Sequence, residues 1–226
     1  MTTAGPARRE ICKLCLRARS ACICQWITPI AHQVEVLILQ HPLELTCAKG
    51  SARLLHLCLP HSRLVPGELF PDDSLLNAPF ALPPGSVGVQ PSRQLLLLYP
   101  ETAQDQALGL PAAPALTPAM LQDPSKLRLV VLDGTWRKSR KMLCLNPALQ
   151  RLPRLSLEDL PASSYRIRKA HRPDQLSTLE ATCAALMRLE GRTAPFEPLL
   201  KAFDGFVAQQ LARRLPSPET LAHPDS

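Results

Sequence analysis

The sequence predicts an α/β fold built on a mainly parallel sheet. Three apolar runs carry that reading: residues 34–40 (VEVLILQ), 95–98 (LLLL) and 127–132 (LRLVVL). None alternates apolar with polar as a strand covered on one face would, so each suits a sheet covered on both faces. Segments of helical period separate and follow them, the arrangement of strand–helix–strand units.

The elements follow in order. After the first strand, residues 46–59 (TCAKGSARLLHLCL) read as a helix with Leu54, Leu55 and Cys58 on one side, stopped by Pro60. Five prolines between positions 71 and 91 mark loops before the second strand. Residues 101–124 are Ala/Pro-rich and are expected to hold a crossover helix with loops. Asp133-Gly134 ends the third strand, and a basic helix is expected over 136–145. Residues 152–157 read as a fourth strand, edge or irregular because Pro153 lacks a ladder donor. Over 177–190, Leu179, Cys183, Leu186 and Met187 share a helical face, and Ser177 and Glu180 have capping-box spacing. A last helix over 196–215 places Phe196, Leu199, Leu200, Phe203, Phe206, Val207 and Leu211 at helical spacing. Three segments result: a cysteine-rich leader (1–26), the α/β domain (27–215), and a tail (216–226) expected to be disordered.

Composition bounds the function. The chain has 226 residues, 46% of them apolar and 20% charged, enough for a packed core rather than a disordered chain. No uncharged apolar run approaches the roughly 18 residues of a membrane span. The N-terminus, MTTAGPARREICKLC, has no apolar signal region, so a cytoplasmic location is expected, with no obligate protein partner. Twenty-four prolines are about twice the usual 5%, and with the Ala, Leu and Arg enrichment they fit GC-rich coding. Coding bias does not explain where the charge lies. Arg128 to Arg172 holds eleven Lys/Arg against three Asp/Glu, while the whole chain carries only +7. That concentration suits an anionic polymer, nucleic acid first, against the plainer reading of a solvated basic face.

The leader contains Cys12-x2-Cys15-x6-Cys22-x-Cys24. In the cytoplasm such cysteines are read first as metal ligands or core residues. Four thiolates can surround Zn²⁺ tetrahedrally, and Lys13, Arg17 and Arg19 would offset their charge. Structural zinc is favoured over a redox pair, an iron–sulfur cluster or reduced core cysteines, because the leader looks too poor in apolar residues to offer a core. Cys47, Cys58, Cys144 and Cys183 stand singly in apolar helical contexts and are expected in the core.

In an open α/β sheet, ligands bind beyond the carboxyl ends of the strands. Those ends are Gln40-His41-Pro42, Tyr99-Pro100 and Asp133-Gly134-Thr135-Trp136. No glycine-rich dinucleotide or P-loop fingerprint is present. Asp133 can be a general base or, with Thr135, a cap for the next helix. Trp136 can stack on a flat ring or fill an apolar gap. Arg137, Lys138, Arg140 and Lys141 follow at once, and Arg166, Arg168 and Lys169 form a second basic block. An acid at a strand end beside a basic helix fits a phosphate-rich substrate whose reactive atom must lose a proton. His41 before Pro42 is a weak acid/base candidate and reads first as structural.

Taken together, these motifs resemble the DTW-domain family of tRNA-uridine aminocarboxypropyltransferases. The resemblance runs from about Cys12 to Leu186. It rests on CKLCLRARSACIC (12–24), HPLE (41–44), AKGSAR (48–53), LLYP (97–100), LDGTWRKSRKM (132–142), LPRLSL (152–157), SSYRIRK (163–169) and LSTLEA (176–181). Two departures are visible: Ala18 where the family commonly has proline, and Ser51 where threonine is common.

The resemblance implies a SPOUT-like fold with a C-terminal trefoil knot that holds S-adenosylmethionine (SAM), plus a small N-terminal zinc knuckle. It implies transfer of the 3-amino-3-carboxypropyl group of SAM to N3 of a tRNA uridine, with release of methylthioadenosine. It makes Tyr99, Pro100, Asp133, Trp136, Ser177 and Thr178 the SAM-pocket residues and Asp133 the catalytic base. Arg137, Lys138, Arg140, Lys141, Arg166, Arg168 and Lys169 would bind tRNA, and Cys12, Cys15, Cys22 and Cys24 the zinc. A SPOUT-type RNA methyltransferase and a non-catalytic zinc-containing RNA-binding protein are the alternatives.

Overall fold

A computed structural model describes residues 10–70, 74–80, 92–157 and 176–213. Five strands form one sheet: β1 (Glu35–Gln40), β2 (Ser62–Pro66), β3 (Gln94–Leu98), β4 (Leu127–Asp133) and β5 (Arg154–Leu155). Their order is β2-β1-β4-β3-β5, and every pairing is parallel. β1 and β4 lie inside the sheet and are buried at every residue, which is why their sequences do not alternate.

Successive side chains of these strands divide between two cores. Val36, Ile38, Leu129 and Val131 pack with helices α1 (Ala52–Cys58), α6 (Thr178–Glu190) and α7 (Glu197–Ala212). Leu37, Leu39, Val130 and Leu132 pack with α2 (Ser74–Asn77), α4 (Trp136–Leu145) and α5 (Pro147–Gln150). At the amino ends of β1 and β4, Glu35 and Arg128 are buried as a pair 2.6 Å apart. Arg128 also donates to the carbonyls of Leu76 and Ala78, so the charge is held rather than stranded.

The three principal strands, α4, α6 and α7 lie where the sequence predicts them. Other elements differ. The helix expected over 46–59 begins only at Ala52, and 3-10 and turn backbone precedes it. β2 was hidden by its half-exposed residues, which lack an apolar run. The crossover region yields a single short helix, α3 (Ala103–Ala107), and two 3-10 turns at Pro118–Leu121 and Pro124–Lys126. The fourth strand shrinks to two residues at the sheet edge, where the Pro153 carbonyl still accepts from Leu97 N at 2.9 Å.

The leader does have a core to occupy. Cys12, Cys15 and Ile23 are buried among α1, α6 and α7. Trp26 lies over Gly205 of α7 and donates from Nε1 to Gln209 Oε1 at 2.7 Å. Of the single cysteines, Cys58 and Cys183 are buried as expected, whereas Cys47 is half-buried and Cys144 is exposed. The knot implied by the resemblance is not shown, because the path from β5 to α6 (158–175) lies outside the described residues, as does the tail at 216–226. No helix among the described residues is long and apolar enough to cross a membrane.

Candidate active site

β4 ends on Asp133, and the pairing of β4 with β1 sets Gln40 directly beside it. The Asp133 side chain is buried, and its two oxygens have different partners. Gln40 Nε2 donates to Oδ2 at 2.8 Å, and Thr178 Oγ1 donates to Oδ1 at 2.7 Å. The carboxylate therefore does not cap α4. Thr135 sits at the cap position and makes no side-chain cap bond either. Burial pushes the Asp133 carboxyl above its ordinary range; the bonds from Thr178 and Gln40 oppose that rise, Glu44 adds to it and Lys138 offsets it. Gly134 turns the chain so tightly that a Cβ there would lie 3.1 Å from Lys138 Cβ.

Beyond the carboxyl ends of β3, β4 and β5 lies a cavity of about 550 Å³, within the range of small-molecule sites. Leu98, Leu155, Leu157 and Ala181 give it apolar walls. Tyr99, Pro100, Trp136 and Thr178, four of the six residues assigned to a SAM pocket, line it. Trp136 is 47% exposed and meets the Tyr99 ring edge-on at 5.8 Å between centroids, so its face is free to stack on a flat group. Asp133 and Ser177 do not line the cavity. Asp133 reaches it through Thr178, and Ser177 caps α6 in a complete capping box with Glu180.

The basic residues of α4 are unequal. Lys138 is held by Glu44 at 2.7 Å, and Lys141 by Glu68 at 2.9 Å. Glu68 also meets His41 Nε2 at 2.9 Å, and its carboxyl is held below the usual range by Lys141 and His41. Leu43 N donates to His41 Nδ1, so Nε2 carries the proton that His41 gives to Glu68. His41 is thus a structural link. Arg137 is exposed at the cavity, while Arg140 is half-buried beside Tyr99. Arg166, Arg168 and Lys169 lie outside the described residues.

The sulfurs of Cys12, Cys15, Cys22 and Cys24 lie within 4.8 Å of one another, a group that could hold a metal ion. Cys12 and Cys24 are 3.6 Å apart and Cys15 and Cys22 3.8 Å. Sulfurs bound at about 2.3 Å to a tetrahedral ion lie about 3.8 Å apart, so the donor set fits zinc in kind and spacing. Backbone N–H groups of Cys15 and Leu14 pull the Cys12 thiol down to about 6, toward the thiolate a metal needs, while burial and the neighbouring thiols push its partner Cys24 up to about 12. Arg17 donates from this cluster to the carbonyls of Ala48 and Gly50, and Arg53 donates back to Leu14 O. The leader and the 48–53 segment, which runs into the start of α1, therefore grip one another. Ser51 Oγ in turn accepts from Leu179 N at the start of α6.

Sequence reasoning missed the Gln40 clamp on Asp133, the acidic partners Glu44 and Glu68, and the β5 wall of the cavity. A polar residue ending an otherwise apolar strand was the available signal for Gln40. Nothing local marks Glu44 or Glu68, whose partners lie 94 and 73 positions away.

A parallel sheet with a ligand-sized cavity at its carboxyl ends, a buried acid behind a cavity hydroxyl, and a four-cysteine cluster define an α/β protein with a candidate ligand site and a candidate metal knuckle. The chain belongs to the DTW-domain family, whose pattern matches residues 9–211. A Drosophila melanogaster protein named tRNA-uridine aminocarboxypropyltransferase 2 is 28% identical over 219 residues, covering 91% of this chain and 77% of that protein. A Mus musculus protein of the same name is 27% identical over 213 residues, 90% of this chain and 64% of the relative. An Arabidopsis thaliana protein named tRNA-uridine aminocarboxypropyltransferase A is 26% identical over 141 residues, 60% of this chain and 51% of the relative. The chain thus spans just under two thirds of the mouse relative and about half of the plant one. No solved structure matches this chain significantly.

Proposed function

We propose that this protein transfers the 3-amino-3-carboxypropyl group of SAM to N3 of a tRNA uridine and releases methylthioadenosine. The observation that carries the reading is the cavity hydroxyl of Thr178 bound to the buried, proton-attracting carboxylate of Asp133. The names of the relatives support uridine in tRNA as the acceptor, and the family resemblance supports SAM as the donor.

Uridine N3 is a poor nucleophile while it keeps its proton. In the proposed step its electron pair forms a bond to the chain carbon attached to the sulfonium. The carbon–sulfur bond breaks, and its pair stays on sulfur as a neutral thioether. The N3 proton passes to Thr178 Oγ1 while the hydroxyl's own proton moves to Asp133 Oδ1. General-base help of this kind contributes of order 10²–10⁴ in rate. Tyr99, Pro100 and the leucine walls would hold the adenosyl part, and Trp136 would stack near the target base. Arg137, Arg166, Arg168 and Lys169, with the paired Lys138 and Lys141, would contact tRNA phosphates. Zn²⁺ on Cys12, Cys15, Cys22 and Cys24 would fix the leader as a structural ion, with all four positions filled by protein.

The test uses SAM carrying distinct labels in the carboxyl and methyl groups, incubated with the protein and unmodified tRNA. Carboxyl label alone on the RNA is the expected result. Methyl label would make the protein a methyltransferase, and neither label with intact tRNA binding would make it a binding protein.

A further inference from the structure

Next to the cavity, four buried donor atoms make no hydrogen bond of good geometry among the described residues: the Tyr99 hydroxyl, Arg140 Nε, and Nε and Nη2 of Arg154. Burial raises the Tyr99 pKa, and the Arg140 guanidinium approaches its oxygen closely enough to oppose that rise. The Arg154 side chain is only 3% exposed. Its Nη1 is taken by Asp105 Oδ2, and Asp105 is filled further by the backbone N–H and hydroxyl of Thr102. Burial would raise the Asp105 carboxyl, but Arg154 and Thr102 outweigh it and hold it low, so the acid is ionised. Two guanidinium groups and one carboxylate leave a net charge of +1. Leaving a buried donor unsatisfied costs roughly 1–3 kcal/mol, and such groups in a native fold call for a partner.

The kind of donor names the chemistry of a partner. Nε and Nη2 form one edge of a guanidinium, the edge that binds a carboxylate through two parallel hydrogen bonds. A carboxylate offers about four lone-pair directions, matching the four open donors, and its single charge balances the cluster. Arg154 lies over the Tyr99 ring at 5.6 Å, and Tyr99 lines the cavity. Arg140 follows Trp136, another cavity residue, by one turn of α4.

We propose that Arg154, Arg140 and Tyr99 form a carboxylate subsite adjoining the cavity, and that it takes the carboxylate of the amino-acid arm of SAM. The proposal rests on the SAM reading above. Anchoring the arm at its far end fixes the chain carbon in place and so selects it over the methyl carbon as the reacting centre.

Calorimetry with the full chain, without tRNA, compares SAM with decarboxylated SAM, which differs only in the missing carboxylate. Wild type is expected to bind SAM about ten- to hundredfold more tightly. Arg140→Gln and Tyr99→Phe, which spare the Arg154–Asp105 pair, should each narrow that preference severalfold by weakening SAM more than decarboxylated SAM. Equal binding of the two by wild type, or an undiminished preference in both variants, overturns the subsite alone. A loss of tRNA affinity in Arg140→Gln with the preference intact overturns it in favour of an RNA phosphate. Failure of wild type to bind either compound overturns the SAM reading and the subsite together.

Discussion

The Thr178 hydroxyl donates to Asp133 Oδ1 over 2.7 Å, joining the first residue of α6 to the last of β4. Because that bond holds down a carboxyl pKa raised by burial, its removal should act through proton transfer. Thr178→Val is expected to lower the rate of transfer by about tenfold or more and to shift the acid limb of the pH–rate profile upward, since the base then protonates at higher pH. Thr178→Ser should restore both. Asp133→Ala should fold, bind tRNA and lose about 10²–10⁴ in rate. Single-turnover rates across pH 5–9 check this. An unchanged profile in Thr178→Val would remove the hydroxyl from the proton path.

The cysteine cluster is tied to the site through Arg17, the 48–50 carbonyls, Ser51 and Leu179 N. Cys15→Ser should therefore do more than release metal. Metal content by elemental analysis should fall from about one zinc per chain to near zero. Chelation of wild type should lower the melting temperature and speed proteolysis in the 42–53 region, because a bound ion adds its binding free energy to the folded state. Full zinc occupancy in Cys15→Ser would take Cys15 out of the ligand set.

Legibility in the sequence followed locality. β1 and β4 were readable because burial on both faces demands unbroken apolar runs, and α6 because Ser177 and Glu180 announce its cap three residues apart. The four cysteines fall within thirteen residues, so their convergence could be read from spacing. β2 could not be read, since its half-buried residues match neither an apolar run nor strict alternation. The Asp133 clamp was equally hidden: Gln40 and Thr178 lie 93 and 45 positions away, and only the sheet register and the docking of α6 bring them together. The pairing of Lys138 and Lys141 was hidden in the same way, because Glu44 and Glu68 reach them from segments remote in sequence.

Gly205 should resist a substitution that ordinarily helps. In the middle of a helix, Gly→Ala gains roughly 1 kcal/mol from propensity. Here a Cβ would sit 2.2 Å from the Trp26 ring. Trp26 would have to leave, giving up its bond to Gln209, whose own amide holds Cys22 O. Gly205→Ala is expected to destabilise by about 1–3 kcal/mol, as overpacking does. Denaturant unfolding measures the loss, and a red-shifted tryptophan emission would report that Trp26 has become solvated.

Stability should decline on mild acidification. His32 is buried, gives its Nδ1 proton to Val34 O and accepts from His61 N at Nε2, so it is held neutral. Burial lowers its pKa and outweighs the opposing bond to the Val34 carbonyl, while His61 lowers it further and Glu190 raises it. His56 is lowered in the same sense by burial and Arg53. Below the unfolded value of about 6.5, the unfolded chain takes up protons that the fold refuses. The stability these groups contribute is thus present above that pH and lost as pH falls, by at most about 1.4 kcal/mol per unit for each proton. Thermal melts from pH 8 to pH 5 should show the decline, and His32→Gln should be less stable at pH 8 with a shallower slope.

Charge pairing also ranks the cations of α4 for RNA. Arg137 is exposed at the cavity, whereas Lys138 and Lys141 already face Glu44 and Glu68. A cation bound to a carboxylate releases fewer counterions from a phosphate than a free one does, because its field is already compensated. Arg137→Ala should weaken tRNA binding at moderate salt and reduce the slope of log K against log salt by about one. Lys138→Ala should change the slope less. It should also leave Glu44 unopposed near Asp133 and so raise the carboxyl pKa further, since Lys138 holds it down. The two variants therefore separate by readout: Arg137→Ala moves the salt dependence, and Lys138→Ala moves the acid limb of the pH profile. Equal salt slopes for both would mean that Lys138 leaves Glu44 when tRNA binds, and that the pairing does not rank these cations.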